Sequence, residues 1–190
     1  MSTISTSSFQ KGIYIEYNGE PHQIVDFQFV NPGKGSAFVK TKLKNITNGR
    51  VKEFTFKSGE AVEEIPVEVR EMQYLYKSGD DFIFMNQKSF EQTAVRSNII
   101  ATFSPYLKEG EIYQILLDKS QAIGIRLPKR VNLKVIESTE AVKGNTATAA
   151  RKVVTLEGGL KISVPLFIKE GDLVAIDVDS GQYLERINKA

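Results

Sequence analysis

Apolar residues recur at every second position in short runs along most of this chain. A period of two is that of a β-strand with one buried face. Residues 11–17 carry Ile13, Tyr14, Ile15 and Tyr17, and Asn18-Gly19 then gives a strong hairpin signal. Residues 23–30 continue with Ile24, Val25, Phe27 and Phe29. The next strand, 38–46, places Val39, Thr41 and Leu43 on one face and Lys40, Lys42 and Lys44 on the other. Asn48-Gly49 turns it into 51–56. These elements predict a small, twisted antiparallel barrel. Residues 1–8 are polar and are expected to be a flexible chain end.

Pro66 ends this first pattern and a fresh one begins at Val67. Strands are predicted over 67–76, 82–85, 112–117 and 122–127. The least regular part, 93–107, is where a short helix could fit. Pro128 marks a second boundary, and 131–136 matches 67–72 in position and partly in character. Lys169-Glu170-Gly171-Asp172 also repeats Lys108-Glu109-Gly110-Glu111, and both precede an apolar run. The two similarities have offsets of 64 and 61 residues, which points to a duplicated barrel. The chain therefore reads as all-β, with three small β-barrels in tandem over 1–65, 66–128 and 129–190. Each is near the lower size for independent folding.

Composition narrows the class. An apolar content of 41% is enough for packed cores. There is no cysteine, so no disulfide framework and no thiolate metal site can form. The start of the chain lacks a basic segment followed by an apolar one, so it does not read as a secretory signal. No apolar run approaches a membrane span of about 20 residues. The net charge is only +2, but it is unevenly spread. Between 34 and 57, Lys34, Lys40, Lys42, Lys44, Arg50, Lys52 and Lys57 stand against Glu53 alone. The stretch 58–71 is acidic. A row of lysines at strand period favours contact with a polyanion.

The basic region begins at Asn31-Pro32-Gly33-Lys34-Gly35, between two strands. Pro32 fixes its own φ, and Gly33 and Gly35 permit positive φ and close approach. The result is a tight loop with one long cation, Lys34, at its tip. Taken alone, the pentapeptide reads as a common hairpin turn with an exposed lysine. The flanks add more. Upstream lies Gly19-Glu20-Pro21-His22-Gln23-Ile24-Val25, and downstream lie Ala37-Phe38-Val39, Lys42-Leu43-Lys44-Asn45 and Thr47-Asn48-Gly49. The combination closely resembles bacterial translation elongation factor P, in which a GEPYQIV-like strand leads into PGKG, AFV and a KLKN-type strand. The resemblance extends over essentially the whole chain. Phe84-Met85 with Phe90-Glu91-Gln92 is similar to the family's FM…YEQ segment. Lys152-Val153-Val154-Thr155-Leu156 leads to Val164-Pro165-Leu166-Phe167-Ile168 and Gly171-Asp172, as in the third-domain signature, with Val154 for the usual alanine. Ser180-Gly181-Gln182-Tyr183-Leu184-Glu185-Arg186 is similar to the SGEYVSR terminus.

The resemblance implies a KOW/SH3-like first domain and two OB-like domains, arranged as an L-shaped tRNA mimic. It implies a monomeric cytoplasmic factor that binds the ribosome between the P and E sites. Its partners would be ribosomal RNA and the P-site peptidyl-tRNA, whose CCA end the Lys34 loop would reach, relieving stalls at consecutive prolines. Lys34 matches the lysine that the family often extends after translation, which implies a lysine-modifying enzyme as a further partner. Tyr183 and Arg186 match residues that contact ribosome or tRNA, although Tyr183 reads equally well as barrel core. Loop 143–152 matches the one placed near the small subunit and E-site mRNA, with Asn145 for the usual aspartate.

No catalytic constellation emerges from the residues. The single histidine, His22, lies in a strand and reads as structural. No nucleophile-elbow pattern and no metal-ligand spacing is present. No catalytic residue, metal or cofactor is therefore expected. The alternatives are an elongation-factor-P-like paralogue with other stall targets, or a generic OB-type single-strand RNA binder. Because most aromatics alternate as core, the second is disfavoured.

Overall fold

The computed structural model describes residues 2–138 and 151–188. The described chain forms three antiparallel sheets. The first has six strands: β1 (Ser2–Ser5), β2 (Tyr14–Tyr17), β3 (Glu20–Val30), β4 (Phe38–Asn45), β5 (Val51–Lys57) and β6 (Ala61–Glu64). Their spatial order is β1-β6-β2-β3-β4-β5.

The predicted flexible end is instead an edge strand. β1 pairs antiparallel with β6, from Ser2 opposite Glu64 to Ser5 opposite Ala61. A 3-10 turn over Thr6–Ser8 follows. Thr6 is fully buried, and its hydroxyl donates to the Lys57 carbonyl at 3.3 Å and accepts from Gly59 N–H at 2.9 Å. Phe9 then enters the core, edge-on to Phe56 with centroids 5.4 Å apart. Polar composition misleads here because backbone pairing needs no apolar side chain.

β3 explains an irregularity in the pattern. Ile24 and Val25 are adjacent, which breaks strict alternation. The β3–β4 register shifts between Ile24 and Asp26, which leaves Val25 as a bulge. The bulge lets both Ile24 and Phe27 face the core, with Ile15, Val39, Leu43 and Phe56.

The second sheet contains β7 (Val67–Ser78), β8 (Asp81–Met85), β9 (Gln92–Arg96), β10 (Ile112–Asp118) and β11 (Gln121–Arg126), in the order β11-β10-β7-β8-β9. A single turn of helix, α1 (Ser97–Ile100), contacts both β9 and β11 and closes the barrel. This is the short helix that the irregular stretch admitted. Phe84 is fully buried, with Tyr74 at 5.2 Å and Tyr113 at 6.4 Å between centroids.

The third sheet contains β12 (Arg130–Ser138), β13 (Arg151–Leu156), β14 (Lys161–Pro165), β15 (Leu173–Asp177) and β16 (Tyr183–Asn188), in the order β14-β13-β12-β15-β16. Read in reverse, this is the order of the second sheet, with β12 in the place of β7 and β15 in the place of β10. The repeated tetrapeptides form the same turn. Glu111 N–H donates to the Lys108 carbonyl and Asp172 N–H to the Lys169 carbonyl, with Gly110 at φ 86° and Gly171 at φ 89°. The internal repeat in the sequence is thus a repeat of architecture.

By packing, the described chain forms two compact units. One contains 2–102 and 112–126; the other contains 103–111, 127–138 and 151–188. In the second unit, Tyr106 joins the core formed by Leu133, Leu156, Val164 and Ile176.

Candidate nucleic-acid interface

The Lys34 loop spans residues 31–37 and joins β3 to β4, whose last paired residues are Val30 and Phe38. Lys34 is exposed and makes no ion pair among the described residues. Gly35 has φ 107°, a conformation that favours glycine. Gly33 does not adopt positive φ, and a side chain there would meet only open space. Pro32 packs near Gly35, its Cγ 3.9 Å from the place where a Cβ would stand. The free protein therefore requires glycine at 35 and not at 33.

Two aromatics flank the base of the loop. Phe29 is 53% exposed and lies edge-on to Phe27 at 5.6 Å. Lys40 Nζ sits 6.0 Å from the Phe38 ring centroid. Phe29 shares the alternation of Phe27 but is not part of the core. Its exposure follows from its position near the sheet end, past Phe27, the last β3 side chain packed on the core.

The basic sheet face is mixed in charge. Lys40 and Lys42 line a shallow groove of about 380 Å³ with Asp26, Gln28, Glu53 and Thr55. Lys42 lies between Asp26 and Glu53 across the sheet and approaches Glu53 Oε1 at 3.8 Å. Asp26 is paired with Lys11 at 2.6 Å, and that contact holds its carboxyl below the usual aspartate range. Lys44 is half-buried and stands opposite Gln23. Sequence spacing correctly placed the three lysines on one face. It did not register the acids that neighbouring strands bring beside them.

His22 is buried, as a structural ring should be. Its Nδ1 lies 2.9 Å from the Glu20 carbonyl, so it donates there, and Nε2 lies 3.4 Å from the Asn45 amide nitrogen.

At the other end of the chain, Arg186 and Tyr183 are partly buried. Arg186 Nη1 is 3.6 Å from Asp172 Oδ2, and its guanidinium lies 5.1 Å from the Phe167 ring centroid. Tyr183 packs on the third core, and burial pushes its hydroxyl pKa up. Most of the loop over 143–152 lies outside the described residues. Among the described residues, no cluster of His, Asp or Glu could hold a metal, and no helix is long and apolar enough to cross a membrane.

Three small β-barrels in tandem, the first carrying an exposed lysine in a hairpin loop, place the chain in the class of proteins built from KOW-like and OB domains. Residues 5–62 match the elongation factor P KOW-like domain, 67–125 the elongation factor P OB domain and 131–186 the elongation factor P C-terminal domain. The chain belongs to the elongation factor P family and is a translation elongation factor. It is 48% identical over 183 residues to elongation factor P of Maridesulfovibrio salexigens, covering 96% of this chain and 98% of that one. Identity to elongation factor P of Moorella thermoacetica is also 48%, over 96% and 99%. Among solved structures, eukaryotic translation initiation factor 5A from Methanococcus jannaschii is similar at 25% identity and TM-score 0.49, over 66% of this chain and 92% of that one. A translation initiation factor eif-5a family protein of Naegleria fowleri gives 15% and 0.47, over 66% and 98%.

Proposed function

We propose that this factor binds the ribosome between the P and E sites and speeds peptide-bond formation at consecutive prolines. The observation that carries this reading is the exposed Lys34 loop, held at the end of a paired hairpin in a chain of this family. Proline restricts its own φ and the conformation of the residue before it, so donor and acceptor align slowly. A factor that orders the CCA end of the peptidyl-tRNA lowers the entropic part of that barrier without donating a reacting group. Lys34 is then a positioning cation. Pro32 and Gly35 shape the loop, and the space over Gly33 admits a nucleic-acid backbone. Lys40, Lys42 and Lys44 add contact to ribosomal RNA or tRNA, moderated by Asp26 and Glu53. Tyr183 and Arg186 form a second contact in the third barrel, with Arg186 braced by Asp172 and Phe167. The protein works as a cytoplasmic monomer with domains 1–65, 66–128 and 129–190.

The test is Pro-Pro-Pro synthesis in a reconstituted translation system. Added protein should raise the rate, and Lys34→Ala should abolish the stimulation without lowering thermal stability. Equal stimulation by both would remove Lys34 from the mechanism. No stimulation by either, with ordinary peptides formed normally, would favour a paralogue with another task. Lys34 is also the proposed site of modification. Protein from the native host should then weigh more than the unmodified chain, with the added mass mapping to Lys34.

A further inference from the structure

The first and second barrels lock together at a joint that no part of the functional reading uses. Tyr14, Ile46 and Leu116 are buried as one cluster, with Ile65, Val67 and Ile123 packed against it. Tyr14 and Ile46 come from the first barrel and Leu116 from β10 of the second. All lie within one compact unit.

At the centre is Gly124, in β11. Its φ is outside the left-handed region, so backbone conformation does not call for glycine. Contact does. A Cβ built on Gly124 would overlap Cγ2 of Ile46 and stand 3.4 Å from Leu116 Cδ1. The Ile46 methyl thus occupies the space that any other residue at 124 would fill. A second tie crosses the same joint: Arg126 Nη2 donates to the Tyr14 hydroxyl at 2.6 Å. Ile46 is itself held firmly. Its N–H donates to the Pro21 carbonyl at 3.0 Å, and the preceding Asn45 side chain accepts from Thr47 and Asn48 N–H at 2.9 and 3.0 Å.

Ile46 directly follows β4, the strand that begins at the end of the Lys34 loop. β4 therefore runs from the loop to the joint. At about 3.3 Å per residue it is a lever of roughly 26 Å, over which a tilt of about 5° moves the far end by about 2 Å. A misplacement of about 1 Å in a positioned reaction can cost about a hundredfold in rate.

We infer that Gly124 is a positioning residue: by receiving Ile46 it fixes the first barrel on the second and so sets the aim of Lys34. This rests on the reading of Lys34 proposed above. Gly124 touches no substrate and acts only through the joint.

The test uses the full chain in four forms: the parent, Gly124→Ala, Ile46→Leu and the double variant. Ile46→Leu deletes the Cγ2 methyl while keeping the number of carbons, which makes room for the alanine Cβ. Residual dipolar couplings report the orientation of β4 against β11, and Pro-Pro-Pro synthesis reports function. Gly124→Ala should change the relative couplings of the two barrels while leaving those within each barrel intact. It should lower the rate at saturating factor about tenfold or more, with a smaller change in the concentration giving half-maximal stimulation. The double variant should restore both. If Gly124→Ala does not fold, Tyr14→Phe tests the same joint, since it removes only the hydroxyl that accepts from Arg126 Nη2 across it. It should lower the saturating rate severalfold and change the inter-barrel couplings.

Unchanged couplings in whichever of these variants folds would overturn the inference. So would changed couplings with an unchanged saturating rate. A parent that fails to stimulate would instead overturn the functional reading, and the link to Lys34 with it. The couplings would still report whether Gly124 holds the joint.

Discussion

Gly33 and Gly35 flank the same lysine but have different structural needs. Gly35 sits at φ 107°, where an L side chain is strained. Gly33 has ordinary φ and open space around it. Gly35→Ala should therefore destabilise the protein by about 1 kcal/mol or more, and Gly33→Ala should leave its melting temperature unchanged. A Gly33→Ala variant that keeps its stability but loses stimulation would assign Gly33 to partner approach. Phe90 is the opposite case. It is 70% exposed and holds φ 59°, a conformation costly for a bulky residue. Phe90→Gly should raise stability by up to about 1 kcal/mol, read by thermal denaturation. At this scale the exposed loop that carries Lys34 was legible in the sequence, because proline and glycine constrain the backbone directly. Gly124 was not legible. It sits in the run Ala122-Ile123-Gly124-Ile125, which reads as an ordinary strand, and its reason lies in another barrel.

At the scale of elements, strand period was a good guide to the longer strands but passed over the short β6 and β9, each with one buried valine. It located β2 to β5, and the bulge at Val25 accounts for the one break in phase. It missed β1, whose Ser-Thr-Ile-Ser residues pair with an edge far along the chain. The structural weight of this end is testable. Thr6→Val keeps the shape and removes the hydroxyl from both of its bonds. It should cost about 1–3 kcal/mol in thermal or denaturant unfolding, because Gly59 N–H loses its acceptor. A second test concerns the carboxylates. Lys11 beside Asp26, Arg70 beside Glu68 and the Ser180 hydroxyl at Asp177 each hold an acid below its usual range. A depressed folded value means that the stabilisation is complete above the ordinary carboxylate pKa. It is lost as pH falls toward and through the lowered one. Lys11→Met should move the Asp26 titration up toward its ordinary 3.8, visible in carboxyl-carbon NMR. The effect on stability near neutral pH should be small, since the pair is exposed.

At the scale of the whole molecule, the duplication was legible because the same turn recurs before the same strand. The mixed charge of the Lys40–Lys42 face was not, because Asp26 and Glu53 reach it only through strand pairing. The division of packing was also hidden. Residues 103–111 lie within the sequence of the second barrel, yet they belong to the unit of the third. Gly158 shows how closely they seat. It has φ +85°, and a Cβ there would stand 2.5 Å from the Pro105 carbonyl oxygen. Gly158→Ala should destabilise the second unit by about 1–3 kcal/mol. Amide hydrogen exchange should quicken together in 103–111 and in the third sheet.

The path of the chain has a consequence for cutting it. It enters the second unit at 103, leaves at 111 and returns at 127. A protease that nicks near Pro128 would therefore not free an intact third barrel. The carboxy-terminal fragment would leave without Tyr106 and carry an opened core. The amino-terminal fragment would keep Tyr106 without the strands of the third sheet that cover it. The same holds on the ribosome that makes this protein: Tyr106 emerges early and waits for the strands after 130 before it has a core to enter.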